Sequence, residues 1–301
     1  MPFARLRVVL AVSLIAFGCL AEATKSELKD AESYYNRGNV SLDQSAFDQA
    51  IADYNEAIRL DPKLGAAYTN RGNAYLGKGD FDRAIADYNE AIQLDPNDAH
   101  ALGNRANAYQ HKGEQDRAIA DYGAVLRVNP QDATAHNNRG NSYSSKGDFA
   151  NAVTDYSEAI RLNPKPALFY SNRGNAYLKT GDCEKASADY GQAIGINPQS
   201  AEAYGAAAWL WATCADAKWR DGKRATDYAT KACELGKSQS WYCLNTLAAA
   251  YAESGKLKEA VEWQKKALES PGLPEGELDG ARRRLTLYQS GKPFHEPKSG
   301  R

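Results

Sequence analysis

The chain has 301 residues, 43% of them hydrophobic and 25% charged, proportions that exclude a disordered or collagen-like protein and leave ample material for a core. Its 37 basic and 38 acidic residues nearly cancel, so no long-range attraction to a phosphate backbone or an anionic bilayer operates. Nucleic acid is therefore not an expected partner.

Residues 1–23 read as an export signal: Arg5 and Arg7 supply positive charge, Val8 to Leu20 form an apolar run, and Ala21-Glu22-Ala23 gives a small-x-small cleavage site. On this reading the mature chain starts at Thr24 and is periplasmic or secreted. The alternative is a lipoprotein signal at Ala16-Phe17-Gly18-Cys19, with Cys19 acylated, although Ala16 and Phe17 depart from the usual aliphatic-then-small pattern. Only in that case is a membrane a partner. The apolar run is too short to span a bilayer comfortably.

From here to Pro198 the chain repeats itself. Pro62, Pro96, Pro130, Pro164 and Pro198 are each 34 residues apart. Tyr54, Tyr88, Tyr122, Tyr156 and Tyr190 keep the same step, each preceded four residues earlier by an alanine, Ala50 to Ala186. An Asn-Arg-Gly-Asn box begins at Asn36, Asn70, Asn138 and Asn172, with Ala106 replacing glycine in the third copy. Within one unit, Tyr68, Gly72 and Tyr75 share one helical face, Gly79-Asp80 interrupts, and Ala84, Tyr88 and Ala91 share a second face. This pattern predicts a helical hairpin. Gly79, Gly147 and Gly181 suit the left-handed residue that ends a helix, and Asp80, Asp148 and Asp182 suit the cap of the next. Such a hairpin cannot bury its apolar face alone, so the units must stack.

This spacing of aromatic, glycine, tyrosine, alanine and proline resembles the tetratricopeptide repeat, matched in five regular copies over residues 24–198. The resemblance implies an all-α, right-handed superhelical solenoid of antiparallel helix hairpins. Two divergent copies occupy 199–274, with an insertion near 217–222: Ala208 to Ala225 is 17 residues where Gly72 to Ala84 is 12. Residues 275–289 are similar to the closing helix of bacterial members of the family, with Leu278, Ala281, Leu285 and Tyr288 expected inward and the arginines of Arg282-Arg283-Arg284 outward. Residues 290–301 are expected to form a flexible tail.

No enzyme is expected, and no cofactor or metal. The histidines His100, His111, His136 and His295 lack ligand or triad spacing, and every glycine cluster belongs to the repeat rather than to a phosphate loop. The five arginines Arg37, Arg71, Arg105, Arg139 and Arg173 admit two readings, a ligand-binding stripe or structural pairs with the aspartates 16 residues later, Asp53, Asp87, Asp121, Asp155 and Asp189. The last two copies favour pairing, because Ala207 and Leu247 replace the arginine just where Tyr228 and Trp263 replace the aspartate.

The four cysteines after the leader, Cys183, Cys214, Cys233 and Cys243, are candidate disulfides in an oxidising compartment. Cys233 ends one predicted helix and Cys243 begins the next, and Cys183 and Cys214 lie at the corresponding edge of adjacent hairpins, which favours 183–214 with 233–243. Four free thiols filling the core is the alternative.

The resemblance implies a protein or peptide partner held on a concave face built by the first helices. There the chain places Asn36, Asn70, Asn104, Asn138 and Asn172, and a second row, Asn39, Asn73, Asn107, Asn141 and Asn175. In similar superhelices of the family such rows hold peptide backbone, each amide offering a donor and an acceptor; support of turns and packing is the competing role. Tyr35, Leu76, Leu178 and Lys179 are the expected flanking contacts. Thr69, Gly103 and Asn137 stand where carboxylate-clamping members carry groove lysines. The expected function is a non-catalytic scaffold or adaptor in the bacterial cell envelope; a self-associating solenoid, or a regulatory subunit of an envelope enzyme complex, is the alternative.

Overall fold

The computed structural model describes residues 30–236 and 240–297. The leader, with Cys19, and the last four residues lie outside them. The described residues hold fifteen α-helices and no strand. None of these helices is long and apolar enough to cross a membrane. The chain divides into two compact units, one ending at Val128 and one beginning at Asn129.

The first unit contains three hairpins: α1 (Ala31–Asp43) with α2 (Phe47–Leu60), α3 (Gly65–Gly77) with α4 (Phe81–Leu94), and α5 (Ala99–His111) with α6 (Gln115–Val128). The second hairpin shows how the sequence makes its turn. Gly79 adopts φ +76°, a conformation that costs an L side chain, and Asp80 N–H donates to the Tyr75 carbonyl at 2.9 Å. The Asp80 carboxylate then accepts from the Arg83 N–H at 3.1 Å and starts α4. In the first hairpin Ser45 takes the left-handed position at φ 58° and Ala46 supplies no side-chain cap.

Close approach of the paired helices sets the core. A Cβ added at Gly72 would lie 2.6 Å from the Tyr88 ring, and one at Gly38 would lie 2.6 Å from that of Tyr54, so only glycine leaves these buried rings in place. Each ring also packs toward the next hairpin, as Tyr88 does with Ala108.

The second unit contains four hairpins and a closing helix: α7 (Ala133–Ser145) with α8 (Phe149–Leu162), α9 (Ala167–Lys179) with α10 (Cys183–Ile196), α11 (Ala201–Thr213) with α12 (Gly222–Gly236), α13 (Trp241–Glu253) with α14 (Leu257–Glu269), then α15 (Glu275–Gln289). The insertion forms a short 3-10 turn, Ala217–Trp219, followed by Arg220. The Arg220 guanidinium donates to the Cys214 carbonyl at 2.9 Å and to Glu253 at 3.1 Å, fastening the extra residues between the ends of α11 and α13.

Two expectations for the C-terminus are corrected. Arg284 does not face outward with Arg282 and Arg283; it is 7% exposed, donates from Nε to Asn245 Oδ1 at 2.9 Å and lies over the rings of Trp209 and Phe294. It comes three residues after buried Ala281 and four before buried Tyr288, so it shares their face, and partner groups are there to receive it. Residues 290–297 are not a free tail either: Glu296 N–H donates to the Thr213 carbonyl at 2.7 Å, and Phe294 packs on the cluster of Ala248, Ala252 and Tyr288.

Candidate functional site

All five arginine–aspartate pairs are present across their hairpins. Arg71 donates from Nε and Nη2 to the two oxygens of Asp87 at 2.8 and 2.6 Å, and Arg105, Arg139 and Arg173 hold Asp121, Asp155 and Asp189 by the same two-pronged contact at 2.7–2.8 Å. Arg37 holds Asp53 likewise. The aspartates are buried, and where a third guanidinium donor is engaged it goes to the preceding second helix: Arg71 Nη1 to Asn55 and Arg105 Nη1 to Asn89, both at 2.7 Å. The pairing raises the basicity of each arginine. Burial pushes the Asp87 carboxyl up, and Arg71 pulls it back only in part. These arginines are thus committed to their own hairpins and, where the third donor is engaged, to the preceding one, rather than extended as a stripe toward a ligand.

The second asparagine row has a partner that sequence reasoning missed. The hydroxyl of each repeat tyrosine donates to the asparagine 15 residues earlier: Tyr54 to Asn39, Tyr88 to Asn73 and Tyr156 to Asn141 at 2.8 Å, Tyr190 to Asn175 at 2.7 Å, and Tyr122 to Asn107. A buried phenol needs such an acceptor. The same Oδ1 atoms accept from the first row of the next hairpin, Asn70 to Asn39 and Asn104 to Asn73 at 2.8 Å, and Asn172 to Asn141 at 3.2 Å. The expectation that each amide offers both a donor and an acceptor to a peptide is therefore corrected: the acceptor is spent on the core tyrosine, and the Nδ2 donors are what the row has to offer. Asn73 Nδ2 makes one long contact, 3.4 Å, to Asn70.

The expected flanking residues fare unevenly. Lys179 is exposed at the last residue of α9. Tyr35 accepts from Asn70 Nδ2 at 3.1 Å and packs in the first hairpin's core. Leu76 and Leu178 are only partly buried, against the core clusters that contain Tyr88 and Cys183, so packing already occupies part of each side chain. Thr69 and Asn137 are buried and are not groove positions, since each lies on the side of its helix turned toward neighbouring helices.

In the second unit, disulfides join Cys183 to Cys214 and Cys233 to Cys243, tying α10 to α11 and α12 to α13. Among the described residues no group of histidine, cysteine or acidic side chains is arranged to hold a metal. His111 stacks on Phe81, and His136 bridges Asp155 and the Pro130 carbonyl at 3.2 Å each.

Family models described as "Tetratricopeptide repeat" match residues 65–98, 87–120, 167–200 and 242–270, and one described as "TPR repeat" matches 38–79, 107–146 and 140–181. No curated protein matches the chain. Among solved structures, a tetratricopeptide repeat protein from Parabacteroides merdae is 19% identical, with TM-score 0.67 over 86% of this chain and 98% of that one. YrrB, described as a TPR protein with an unusual peptide-binding site, is 22% identical, with TM-score 0.53 over 61% of this chain and 94% of its own. MamA is 24% identical, with TM-score 0.52 over 55% and 96%. At these identities the likeness shows the fold.

Proposed function

Because the chain belongs to the tetratricopeptide-repeat family, we propose that it is a non-catalytic protein-interaction scaffold whose first-helix face holds an extended segment of a partner protein. One observation carries the proposal. In each of the first five hairpins an asparagine side chain is fixed by a core tyrosine through Oδ1, which leaves its Nδ2 donor preorganised at the same place of the repeat. Donors held in this way lose little freedom on binding and match the carbonyls of an extended chain. The peptide-binding site of the similar protein YrrB supports the same class of ligand. We place the protein in the cell envelope, after removal of residues 1–23; the two disulfides support an oxidising compartment.

The test is to change Asn39, Asn73 and Asn107 together to aspartate. A carboxylate still accepts from the tyrosines but donates nothing, so the core keeps its partners while the row loses its donors. At about 1 kcal/mol for each hydrogen bond, binding of the partner isolated with the unaltered protein should weaken roughly 100-fold. A folded triple variant that binds as tightly as before would exclude the row.

A further inference from the structure

The face that carries asparagine in the first five hairpins changes character in the sixth. Trp209 stands where Asn73 and its counterparts stand, and Ala229 where the tyrosine stands. On this altered face Phe294 and Glu296 are bound. Lys292-Pro293-Phe294-His295-Glu296-Pro297 carries no helix, and its two prolines hold the residues before them extended, which lowers the entropy lost on docking.

Four contacts fasten the segment. Phe294 lies 6.1 Å from the Trp209 ring, centre to centre, with the Arg284 guanidinium over both rings. Two residues on, the Glu296 N–H donates at 2.7 Å to the carbonyl of Thr213, the last residue of α11, whose own helix offers that carbonyl no donor. The Glu296 carboxylate accepts from Trp209 Nε1 at 3.3 Å. His295, between them, meets Glu253 at the end of α13 at 2.7 Å. An aromatic residue and a carboxylate two positions apart, with one backbone donor, form a recognisable pattern. It is held by few contacts and carries no helix of its own, so local opening costs little.

We propose that α11, α13 and α15 form a peptide site for an extended segment with an aromatic residue followed two positions later by a carboxylate, and that residues 293–296 are its tethered occupant, displaced when a partner presents that pattern. Trp209 occupies in its own hairpin the repeat place that holds asparagine in the first five, and the site shares no residue with the asparagine rows.

The experiment uses the full-length protein and a fluorescent peptide of sequence Lys-Pro-Phe-His-Glu-Pro. Phe294→Ala should unseat the tail and let the peptide bind at least about tenfold tighter than it binds the unaltered protein, where a tether of this kind competes at an effective concentration of order millimolar. A peptide with alanine in place of phenylalanine should not bind, and adding Trp209→Ala to the Phe294→Ala protein should abolish binding. Hydrogen exchange at the Glu296 amide should be slow in the unaltered protein and fast after Phe294→Ala. The Asn39, Asn73 and Asn107 triple variant should bind this peptide unchanged, so the two proposals fail separately. Equal affinity for the unaltered and Phe294→Ala proteins would show that the tail does not fill the site, and no binding to Phe294→Ala at about 1 mM peptide would show that the site takes no ligand in trans.

Discussion

Replacing Asp87 by alanine should cost about 3 kcal/mol of stability, at the low end of the loss usual for breaking a buried ion pair. Asp87 is 5% exposed and takes two hydrogen bonds from Arg71, whose side chain is 18% exposed. Removing the carboxylate strands a guanidinium that cannot shed its charge. Arg71 keeps its 2.7 Å bond to Asn55 and some contact with water, which places the cost at the low end. Changing both residues to leucine should cost less than Asp87→Ala alone, because burial already works against the Asp87 charge and the pair adds little over a packed apolar contact. Urea unfolding followed by helical circular dichroism gives the energies, with amide exchange in α3 and α4 as a local check, since hairpin arrays can open one repeat at a time. A loss below about 0.5 kcal/mol for Asp87→Ala would mean that the pair is solvated, and a double leucine variant worse than Asp87→Ala would mean that the pair stabilises outright.

Two further outcomes follow from the same geometry. Reduction of Cys183–Cys214, which closes 31 residues, should destabilise the second unit by about 3–4 kcal/mol, against roughly 3 kcal/mol for Cys233–Cys243, which closes 10. Denatured, unreduced protein from an oxidising compartment should show no reactive thiol from these four residues; four would refute both bonds. Burial pushes Tyr156 up to about 12 and raises Tyr54, Tyr88 and Tyr190 above the ordinary phenol value near 10. Because the folded pKa lies above the unfolded one, this stability is complete below about pH 10 and is lost as pH rises through the folded value. Phenolate absorbance from these residues should therefore appear together with loss of helical signal, and titration of every tyrosine near pH 10 with the helices intact would contradict their burial.

The regular part of the fold was legible because one interaction set is written five times. Period 34 reports the hairpin, and the arginine–aspartate spacing of 16 shows itself a second time where Ala207 meets Tyr228 and Leu247 meets Trp263. The tyrosine–asparagine bond left the same kind of trace at spacing 15: Asn73 and Tyr88 become Trp209 and Ala229 in the sixth hairpin, and Ala249 and Gln264 in the seventh. That trace could have divided the amide's two functions in advance, giving the acceptor to the core and the donor to a ligand. It is easily passed over, because an asparagine on an outward-looking helix face reads as a surface group whether or not a phenol from the next helix ends on it.

The C-terminal end was not legible, for a physical reason that the repeats themselves supply. In a stack of identical units each contact is local in sequence and recurs, so periodicity reports it. Arg284 and Phe294 meet residues 39 and more positions away, Arg284 at Asn245 and both at Trp209, once each. Nothing in composition distinguishes Arg284 from exposed Arg282 and Arg283, since a helix turned by one residue would exchange them. What selects Arg284 is the pair of rings waiting on α11 and in the tail, together with the Asn245 side-chain oxygen on α13. The departures from the repeat therefore mark the place to look: the hairpin that gives up the asparagine for Trp209 is the hairpin on which Phe294 and Glu296 are bound.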